Sequence, residues 1–248
     1  MQEILLKKEY IYSGDLILVN YEHELKKQIS TYNLVQFDEN YNDILIDYNL
    51  NLALQKVLKK INANDKIIPV SGYRTYNEQK KIYDDSIIQN GEEFTKKYVA
   101  FPNTSEHQTG LAIDLGLKKK KIDFIRPSFP YAGICQQFRE TMSYFGFIQR
   151  YTEPKENITK IASEMWHMRY VGYPHSEIML ENNLCLEEYI DYLRNYEYGK
   201  SSLKFKNYEI MYLKMDKEEY KIHIDNNFMV KISGNNVDGI IITTKRMI

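Results

Sequence analysis

The sequence predicts an α+β fold in which a central antiparallel sheet is flanked by helices and followed by a C-terminal β-rich extension. Residues 1–194 combine short apolar runs typical of buried strands with longer stretches whose apolar residues recur at helical spacing. After about Arg194, only short alternating β-branched runs remain, separated by turn residues. With 248 residues, 43% of them hydrophobic, the chain can bury a full core.

The first predicted elements lie before residue 72. Residues 15–20 form an apolar run that predicts a short buried strand. Residues 43–61 carry apolar side chains at the spacing of a helix with one buried stripe. Residues 66–71 predict a second strand, in which Pro69 favours a sheet edge or a strand end because proline cannot donate a ladder hydrogen bond.

The next predicted helix has defined ends. Thr75 followed by Glu78 has the form of a capping box, so we expect a helix over about residues 76–90, stopped by Gly91. The aromatic-rich residues 91–103 indicate an ordered loop that could wall a pocket.

Four further elements complete the predicted first domain. Residues 111–117 alternate as a strand, and residues 130–146 show the apolar spacing of a core helix ended by a glycine. Residues 147–151 and 164–171 read as extended segments. The four lysines at 118–121 indicate a solvated turn.

The C-terminal runs predict a small antiparallel sheet. They are Lys204–Lys214, Tyr220–Ile224, Phe228–Ile232 and Gly239–Thr244. The sequence therefore predicts two domains, residues 1–194 with the polar motifs described next and residues 195–248, a β extension of unknown role.

The net charge, the cysteines and the N-terminal residues indicate which partners and which cellular compartment to expect. The net charge of −1 gives no broad attraction to nucleic acid or to an anionic membrane. Cys135 and Cys185 lack a neighbouring His or Cys and indicate small core residues in a reducing compartment. The N-terminal apolar run Ile4-Leu5-Leu6 is too short for a signal peptide or a membrane anchor, so we expect a cytoplasmic protein without an anchor.

Residues 105–114 concentrate chemically active side chains. They hold an imidazole, His107, and a carboxylate, Asp114. On the predicted strand, Asp114 has only small neighbours on its own face. His107 lies in the preceding loop, and Gly110 allows that loop to fold back towards the strand. These two metal-capable groups can therefore converge.

A third metal-capable group, His167, lies far downstream, with Glu164 three residues before it. His, Asp and His leave one position of a tetrahedral zinc open for water, as catalytic rather than structural sites do. Glu164 is then the natural base for that water. A single His–Asp pair is usually an ordinary hydrogen bond, but two of the chain's five histidines fall within these two motifs. The joint pattern therefore predicts a zinc site on the central sheet.

The spacing of Glu164 and His167 raises a geometric question. On a regular strand, residues three apart point to opposite faces. We therefore predict that Glu164 lies before the regular strand or that a bulge separates the two. Trp166, the only tryptophan, is expected to pack as a core anchor beside the site. His175, at an expected helix start, indicates a structural surface residue rather than a ligand.

Arg74 lies where the strand over residues 66–71 gives way to the next helix. A guanidinium at such a corner can hold a carboxylate or a developing oxyanion, helped by the positive end of the helix. The alternative interpretation is a surface arginine paired to a nearby acid.

The combined motifs resemble a known family. Ser-x-His-x-x-x-x-x-x-Asp at residues 105–114, followed by Glu-x-x-His at 164–167, accompanies an upstream Ser-Gly-Tyr-Arg at 71–74. This combination resembles the zinc D,D-peptidases of the VanY, VanX and D-alanyl-D-alanine carboxypeptidase group, over most of residues 15–192. One departure is Met165, where many members have proline.

The resemblance implies an activity and a substrate. It implies a zinc-dependent D,D-dipeptidase and D,D-carboxypeptidase that hydrolyses D-Ala-D-Ala and removes the terminal D-Ala from peptidoglycan precursors. Such an enzyme is similar to the bifunctional VanXY type, which supports vancomycin resistance. Residues 1–194 would be its catalytic domain.

The resemblance also implies roles for particular residues. His107, Asp114 and His167 would bind one Zn²⁺ per chain. Glu164 would be the general acid and base. The resemblance implies that Arg74 polarises the scissile carbonyl or binds the terminal carboxylate of the substrate. The two residues that would assist it in substrate binding are Gln79 and Ser105.

Two other functions stay open at this level. An L,D-carboxypeptidase of the same family would use the same zinc residues, which do not report substrate stereochemistry. A non-catalytic, zinc-stabilised module that binds peptidoglycan peptides is the second alternative. Glu164 argues against that module, because a purely structural site has no need of a carboxylate beside an open position. Pocket depth would depend on loops 91–103 and 124–131.

Overall fold

The structure is a computed structural model that describes residues 1–247. The chain divides into two compact units, one over Val19–Glu181 and one that combines Met1–Leu18 with the segment from Asn182 onwards. Among the described residues, no helix has the length and apolar character needed to cross a membrane. All the predicted site residues belong to the unit Val19–Glu181, and a domain boundary at residue 194 stays a prediction.

Helices and antiparallel strands are both abundant, which confirms the α+β class. The helices are α1 (Tyr48–Lys60), α2 (Tyr76–Asn90), α3 (Glu92–Tyr98), α4 (Gly133–Met142), α5 (Glu156–Thr159), α6 (His175–Glu181) and α7 (Leu186–Leu193). The strands are β1 (Gln2–Lys7), β2 (Leu34–Gln36), β3 (Leu45–Asp47), β4 (Ile67–Ser71), β5 (Ala112–Leu117), β6 (Phe147–Gln149), β7 (His167–Tyr170), β8 (Leu203–Phe205), β9 (Tyr208–Lys214), β10 (Glu219–Ile224), β11 (Phe228–Gly234) and β12 (Gly239–Arg246).

The central sheet of the unit Val19–Glu181 has the strand order β4-β5-β7-β6, and all its pairs are antiparallel. The two inner strands, β5 and β7, carry two of the three predicted metal ligands, Asp114 and His167. Pro69 lies in the edge strand β4, at a shift of register between Pro69 and Ser71. The edge position predicted from that proline is therefore confirmed.

The helix expected over residues 43–61 begins later than predicted. Leu45–Asp47 forms β3, which pairs with β2 in a separate two-stranded sheet. The helix starts at Tyr48 because the Asp47 carboxylate accepts hydrogen bonds from the backbone N–H groups of Asn49 and Leu50, at 2.8 and 3.2 Å. Asp47 thus ends a strand and caps a helix.

The helix α2 has the predicted bounds and a complete capping box. Thr75 Oγ1 accepts from the Glu78 N–H at 3.3 Å, and Glu78 Oε2 accepts from the Thr75 N–H at 2.7 Å. The loop expected over residues 91–103 is partly wrong, because Glu92–Tyr98 forms α3. This short helix has acidic residues in its first turn and basic ones in its last, and Glu92 pairs with Lys96 at 2.6 Å.

The predicted core helix near residue 140 is shorter than its apolar pattern. Helix α4 covers Gly133–Met142 and continues into a short 3-10 turn, Ser143–Phe145. Gly146 ends this segment at φ 95°, a left-handed conformation that favours glycine. The helix α4 contacts both α1 and β6. Its Cys135 and Phe138 side chains are buried, as the apolar stripe predicts.

The second unit contains two sheets where the sequence predicts one. The strand order β11-β12-β9-β8 forms a four-stranded antiparallel sheet, while β10 pairs with the N-terminal strand β1. The predicted strands after residue 204 are thus present, but β10 has a partner that the sequence pattern does not reveal. The buried side chains of this unit include Leu6 on β1 and Ile222 on β10.

The strand predicted for residues 15–20 is absent. The side chains of Leu16 and Leu18 are buried as expected, but their backbone does not join a ladder. The Leu16 N–H donates to Ser233 Oγ at 2.9 Å, and the Leu18 N–H donates to the Asn235 carbonyl at 3.0 Å. A side chain and a turn therefore satisfy donors that a strand would otherwise pair.

Candidate active site

The inner strands of the central sheet bring Asp114 and His167 together. The two residues are direct partners in the register of β5 and β7. Side chains opposed across an antiparallel pair lie on the same face of the sheet. His167 Nδ1 accordingly lies 3.0 Å from Asp114 Oδ1.

His107 reaches the same carboxylate from the preceding loop. It lies in a short 3-10 turn, Glu106–Thr109, which ends at Gly110 with φ 71°. That left-handed glycine returns the chain into β5, as the sequence predicts. His107 Nε2 lies 3.2 Å from Asp114 Oδ2, and its Nδ1 lies 2.6 Å from the carbonyl oxygen of Gly72. Since that carbonyl only accepts, Nδ1 carries the proton and Nε2 faces Asp114.

The three side chains form a group that fits a zinc ion. One ligand atom from each of His107, Asp114 and His167 lies within 4.8 Å of the others, and all three residues are buried. Ligand atoms around a tetrahedral zinc, at about 2.0–2.2 Å from it, lie about 3.3–3.6 Å apart. Two imidazole nitrogens and a carboxylate also form the type of donor set that zinc takes in catalytic sites. This is a possible metal site by spacing and by chemistry.

Glu164 lies beside this group. It precedes β7, which begins at His167, so the prediction that it stands before the regular strand is confirmed. Glu164 Oε2 lies 3.8 Å from His167 Nδ1. Burial raises the pKa of the Glu164 carboxyl to about 8, and the Asp114 charge adds to that rise while His167 opposes it.

The two histidines have opposite electrostatic environments. Burial and the Arg74 charge lower the pKa of His107. Burial also lowers the pKa of His167, but the carboxylates of Asp114 and Glu106 outweigh it and raise that pKa to about 9. In the metal-free protein at neutral pH, His107 is therefore neutral and His167 is protonated. A metal ion would replace the His167 proton.

Arg74 connects three side chains at the edge of this group. Its Nε donates to Ser71 Oγ at 3.0 Å, its Nη1 to Gln79 Oε1 at 3.1 Å and its Nη2 to Asp114 Oδ2 at 3.0 Å. The Arg74 side chain is 18% exposed. It pairs with an acid, as the alternative interpretation held, but it is not a surface residue.

A cavity of about 320 Å³ joins these groups. All seven residues predicted for the site line it: Arg74, Gln79, Ser105, His107, Asp114, Glu164 and His167. Both loops expected to set the pocket depth also contribute, through Tyr98–Ala100 and Phe124–Ile125. Residues that lie far apart in the sequence therefore line the same cavity.

Three further residues that the sequence singles out, Gln79, Trp166 and His175, have defined places in the structure. Gln79 is buried, and its Nε2 donates to the Ala100 carbonyl at 2.7 Å while its Oε1 accepts from Arg74. Trp166 is buried in the cavity wall, as expected. His175 begins α6, as expected, but it is buried, so its assignment to the surface is wrong.

Two residues near the site were not predicted from the sequence. The Tyr151 ring lies 4.9 Å from the His167 ring, centroid to centroid, and lines the cavity. Glu106 is buried against Arg150 and Arg169, each at 2.8 Å. The sequence does hold a signal for Glu106: Arg169 lies between Met168 and Tyr170 in a predicted strand, and a buried arginine needs a buried acid.

Comparison with a family model and a curated relative places these motifs among known proteins. The model described as VanY, D-alanyl-D-alanine carboxypeptidase, matches residues 43–173. The chain is 40% identical over 179 residues to the bifunctional D-Ala-D-Ala dipeptidase and D-Ala-D-Ala carboxypeptidase VanXYC of Enterococcus gallinarum. That alignment covers 72% of this chain and 94% of the relative.

Solved structures are similar as well. The vancomycin resistance D,D-dipeptidase VanXYg, in complex with a phosphinate analogue of D-Ala-D-Ala, matches with a TM-score of 0.96 and 48% identity over 99% of each chain. A variant of the D,D-pentapeptidase VanY from a VanB-type resistance cassette, in complex with Zn(II), matches with a TM-score of 0.59 and 31% identity. This second match covers 71% of this chain and 98% of the other.

Proposed function

Because the chain belongs to the D-alanyl-D-alanine carboxypeptidase (VanY) family, we propose that it is a zinc-dependent D,D-dipeptidase and D,D-carboxypeptidase that supports vancomycin resistance. It hydrolyses D-Ala-D-Ala and removes the terminal D-Ala from peptidoglycan precursors. One observation carries this proposal: two histidines, two carboxylates and a guanidinium converge on the wall of one cavity.

His107, Asp114 and His167 would hold one zinc ion per chain. Three protein ligands of this kind are typical of zinc sites that act on water or substrate. A zinc ion held there acidifies water and polarises a carbonyl group. All three side chains are buried, which limits the contact of their ligand atoms with bulk water.

Glu164 transfers the protons of the reaction. It accepts a proton from the attacking water and then delivers it to the nitrogen of the leaving D-alanine. Its location beside His167, with Oε2 3.8 Å from Nδ1, supports this role. A carboxyl whose pKa is raised by burial is also suited to accept and return a proton near neutral pH.

Arg74 stabilises the negative charge that develops on the scissile carbonyl oxygen. Its guanidinium is oriented by Ser71, Gln79 and Asp114, so it needs little reorganisation during the reaction. Gln79 contributes to substrate binding by holding Arg74, and Ser105 by its location in the cavity wall.

A second cavity supports action on the longer substrate. It has a volume of about 380 Å³ and shares four wall residues with the first cavity: Val99, Ala100, Tyr151 and Ile161. The dipeptide needs only the first cavity, whereas the rest of a precursor peptide would extend into the second. We further propose that the enzyme acts in the cytoplasm, where the free dipeptide and the soluble precursor are made.

The test is D-alanine release by the zinc-loaded protein. Release from both D-Ala-D-Ala and the pentapeptide precursor is expected, with loss of both in Glu164→Ala. Release only from a tetrapeptide with an L,D terminal bond would instead favour the L,D-carboxypeptidase. Binding of the peptides without turnover by the folded, zinc-loaded protein would favour the binding module.

A further inference from the structure

Glu106 occupies a position that the proposed reaction does not use. It neighbours His107 in the 3-10 turn before β5, and it is 1% exposed. Its Oε1 accepts from Arg150 Nε and from Arg169 Nη1, both at 2.8 Å. Two buried guanidiniums therefore compensate the carboxylate and hold it in one orientation.

The other oxygen of Glu106 faces a metal-ligand histidine. Glu106 Oε2 lies 3.5 Å from His167 Nε2. Within residues 1–247, neither of these two buried atoms has a hydrogen-bond partner. A buried donor and a buried acceptor that face each other, with nothing else to satisfy them, indicate that the two groups interact, because leaving both unpaired costs stability.

The two ring nitrogens of His167 face different neighbours. Nδ1 faces Asp114 and Glu164, at 3.0 and 3.8 Å, and so lies on the side of the predicted metal ligands. Nε2 lies on the opposite side, towards Glu106. If Nδ1 donates its lone pair to a metal, Nε2 must carry the ring proton, and that buried N–H needs an acceptor.

We propose that Glu106 is a positioning residue for the metal site, whose Oε2 accepts a hydrogen bond from His167 Nε2–H. This hydrogen bond fixes the tautomer that presents Nδ1 to the metal and fixes the rotation of the ring. The inference rests on the zinc site of the proposed function and assigns the acceptor behind one of its ligands. A carboxylate behind a ligating histidine also makes the ring a stronger electron donor.

The arginines give the carboxylate its rigidity. Arg169 lies on β7, the strand that begins at His167, and the Arg150 backbone N–H donates to the His167 carbonyl at 3.2 Å. Both cations that hold Glu106 are therefore tied to the segment that carries the ligand. The carboxylate of Glu106 and the imidazole of His167 keep their relative position because the arginines that hold the carboxylate are anchored on or against the strand that carries the imidazole.

The first test uses the wild-type chain and needs no variant. In the zinc-loaded protein with ¹⁵N-labelled histidine, NMR should show a metal-bound Nδ1 and a protonated Nε2 for His167. The Nε2 proton should exchange far more slowly than the ring protons of His223, which is exposed. A metal-bound Nε2, or a ring proton that exchanges as fast as those of His223, would overturn the proposal.

The second test measures zinc affinity by competition with a chelator. Glu106→Gln should raise the Kd for zinc about 10–100-fold, the usual effect of losing a partner behind a metal ligand. Glu106→Asp should restore part of the affinity, because it keeps the charge. Arg150→Lys is the matched control: it keeps a cation near Glu106 Oε1, and Arg169 still orients the carboxylate towards His167, so the Kd should rise less than in Glu106→Gln.

The outcomes separate this inference from the proposed function. Equal zinc affinities of wild type and folded Glu106→Gln would refute the positioning role while leaving the zinc site intact. Equal losses in Glu106→Gln and Arg150→Lys would assign Glu106 a structural role only. Failure of the wild type to bind zinc would instead contradict the proposed function. If Glu106→Gln does not fold, the NMR result on the wild type decides.

Discussion

Asp114 Oδ2 accepts a hydrogen bond from Arg74 Nη2 at 3.0 Å and lies 3.2 Å from His107 Nε2. One carboxylate oxygen therefore lies between a predicted metal ligand and the guanidinium proposed to stabilise the reacting carbonyl. The other oxygen, Oδ1, faces His167. The position of Arg74 is thus coupled to the metal group through a single buried side chain.

Replacing Arg74 by lysine should lower kcat/KM at least about 100-fold, on the scale of losing one donor to a developing oxyanion. Lysine keeps the charge, but it cannot contact Ser71, Gln79 and Asp114 at once, because it lacks the planar fork of arginine. Steady-state kinetics on D-Ala-D-Ala measures the effect. The assay uses the protein saturated with zinc, because Arg74 also holds the predicted ligand Asp114. A near-normal kcat/KM would contradict the role of Arg74.

Glu164→Gln should reduce kcat by about 10²–10⁴, the range for a positioned acid and base. The amide keeps the size of the carboxyl but neither accepts nor returns a proton. Zinc binding and binding of D-Ala-D-Ala should persist, which calorimetry can measure alongside the kinetics. A parallel loss of zinc would mean instead that Glu164 supports the metal site rather than the proton transfer.

Several features of the fold were predictable because they depend on local chemistry. The capping box at Thr75 defines where α2 starts, whatever packs around it. The edge position of β4 follows from the missing N–H of Pro69. The position of Glu164 before β7 follows from the period of two in a strand, since Glu164 and His167 had to address one site.

Other features depend on partners distant in sequence and were not predictable. The strand β1 forms by pairing with β10, with Leu6 opposite Tyr220. No local sequence pattern indicates a partner more than 200 residues away. The residues of β3 also fit the helical spacing of α1, so the apolar pattern alone does not separate the two. The pairing of Glu106 with two arginines required three segments to be placed in space.

Removal of zinc should abolish D-alanine release and lower thermal stability together. Asp114 lies buried beside two imidazoles. A metal ion that binds only the folded chain stabilises it by an amount that grows with the logarithm of its affinity. Dialysis against a chelator, followed by activity and melting measurements, tests both effects, and added zinc should restore both. Restored stability without restored activity would point to a structural metal. His107→Ala is the matched variant, and it should show the zinc-free behaviour even with zinc present.

The zinc-free protein should lose stability as the pH rises from 7 to 9. Burial lowers the pKa of His167, but Asp114 and Glu106 raise it from an ordinary 6.5 to about 9. Burial raises the pKa of Glu164 from an ordinary 4.5 to about 8. Between pH 7 and 9, the folded chain therefore binds more protons at these two sites than the unfolded chain, and stability falls wherever that holds. The contribution of His167, complete below pH 6.5, is lost as the pH passes through about 9.

Chemical denaturation of the zinc-free protein at pH 7, 8 and 9 measures this trend. The free energy of unfolding should fall by at most about 1.4 kcal/mol per pH unit for each proton involved. Glu164→Gln removes one of the two titrating groups, so its slope between pH 7 and 8 should be shallower than that of wild type. In the zinc-loaded protein the slope should be smaller still, because the metal replaces the His167 proton in the folded state. Stability that rises with pH in the zinc-free wild type would contradict the pairing of His167 with these carboxylates.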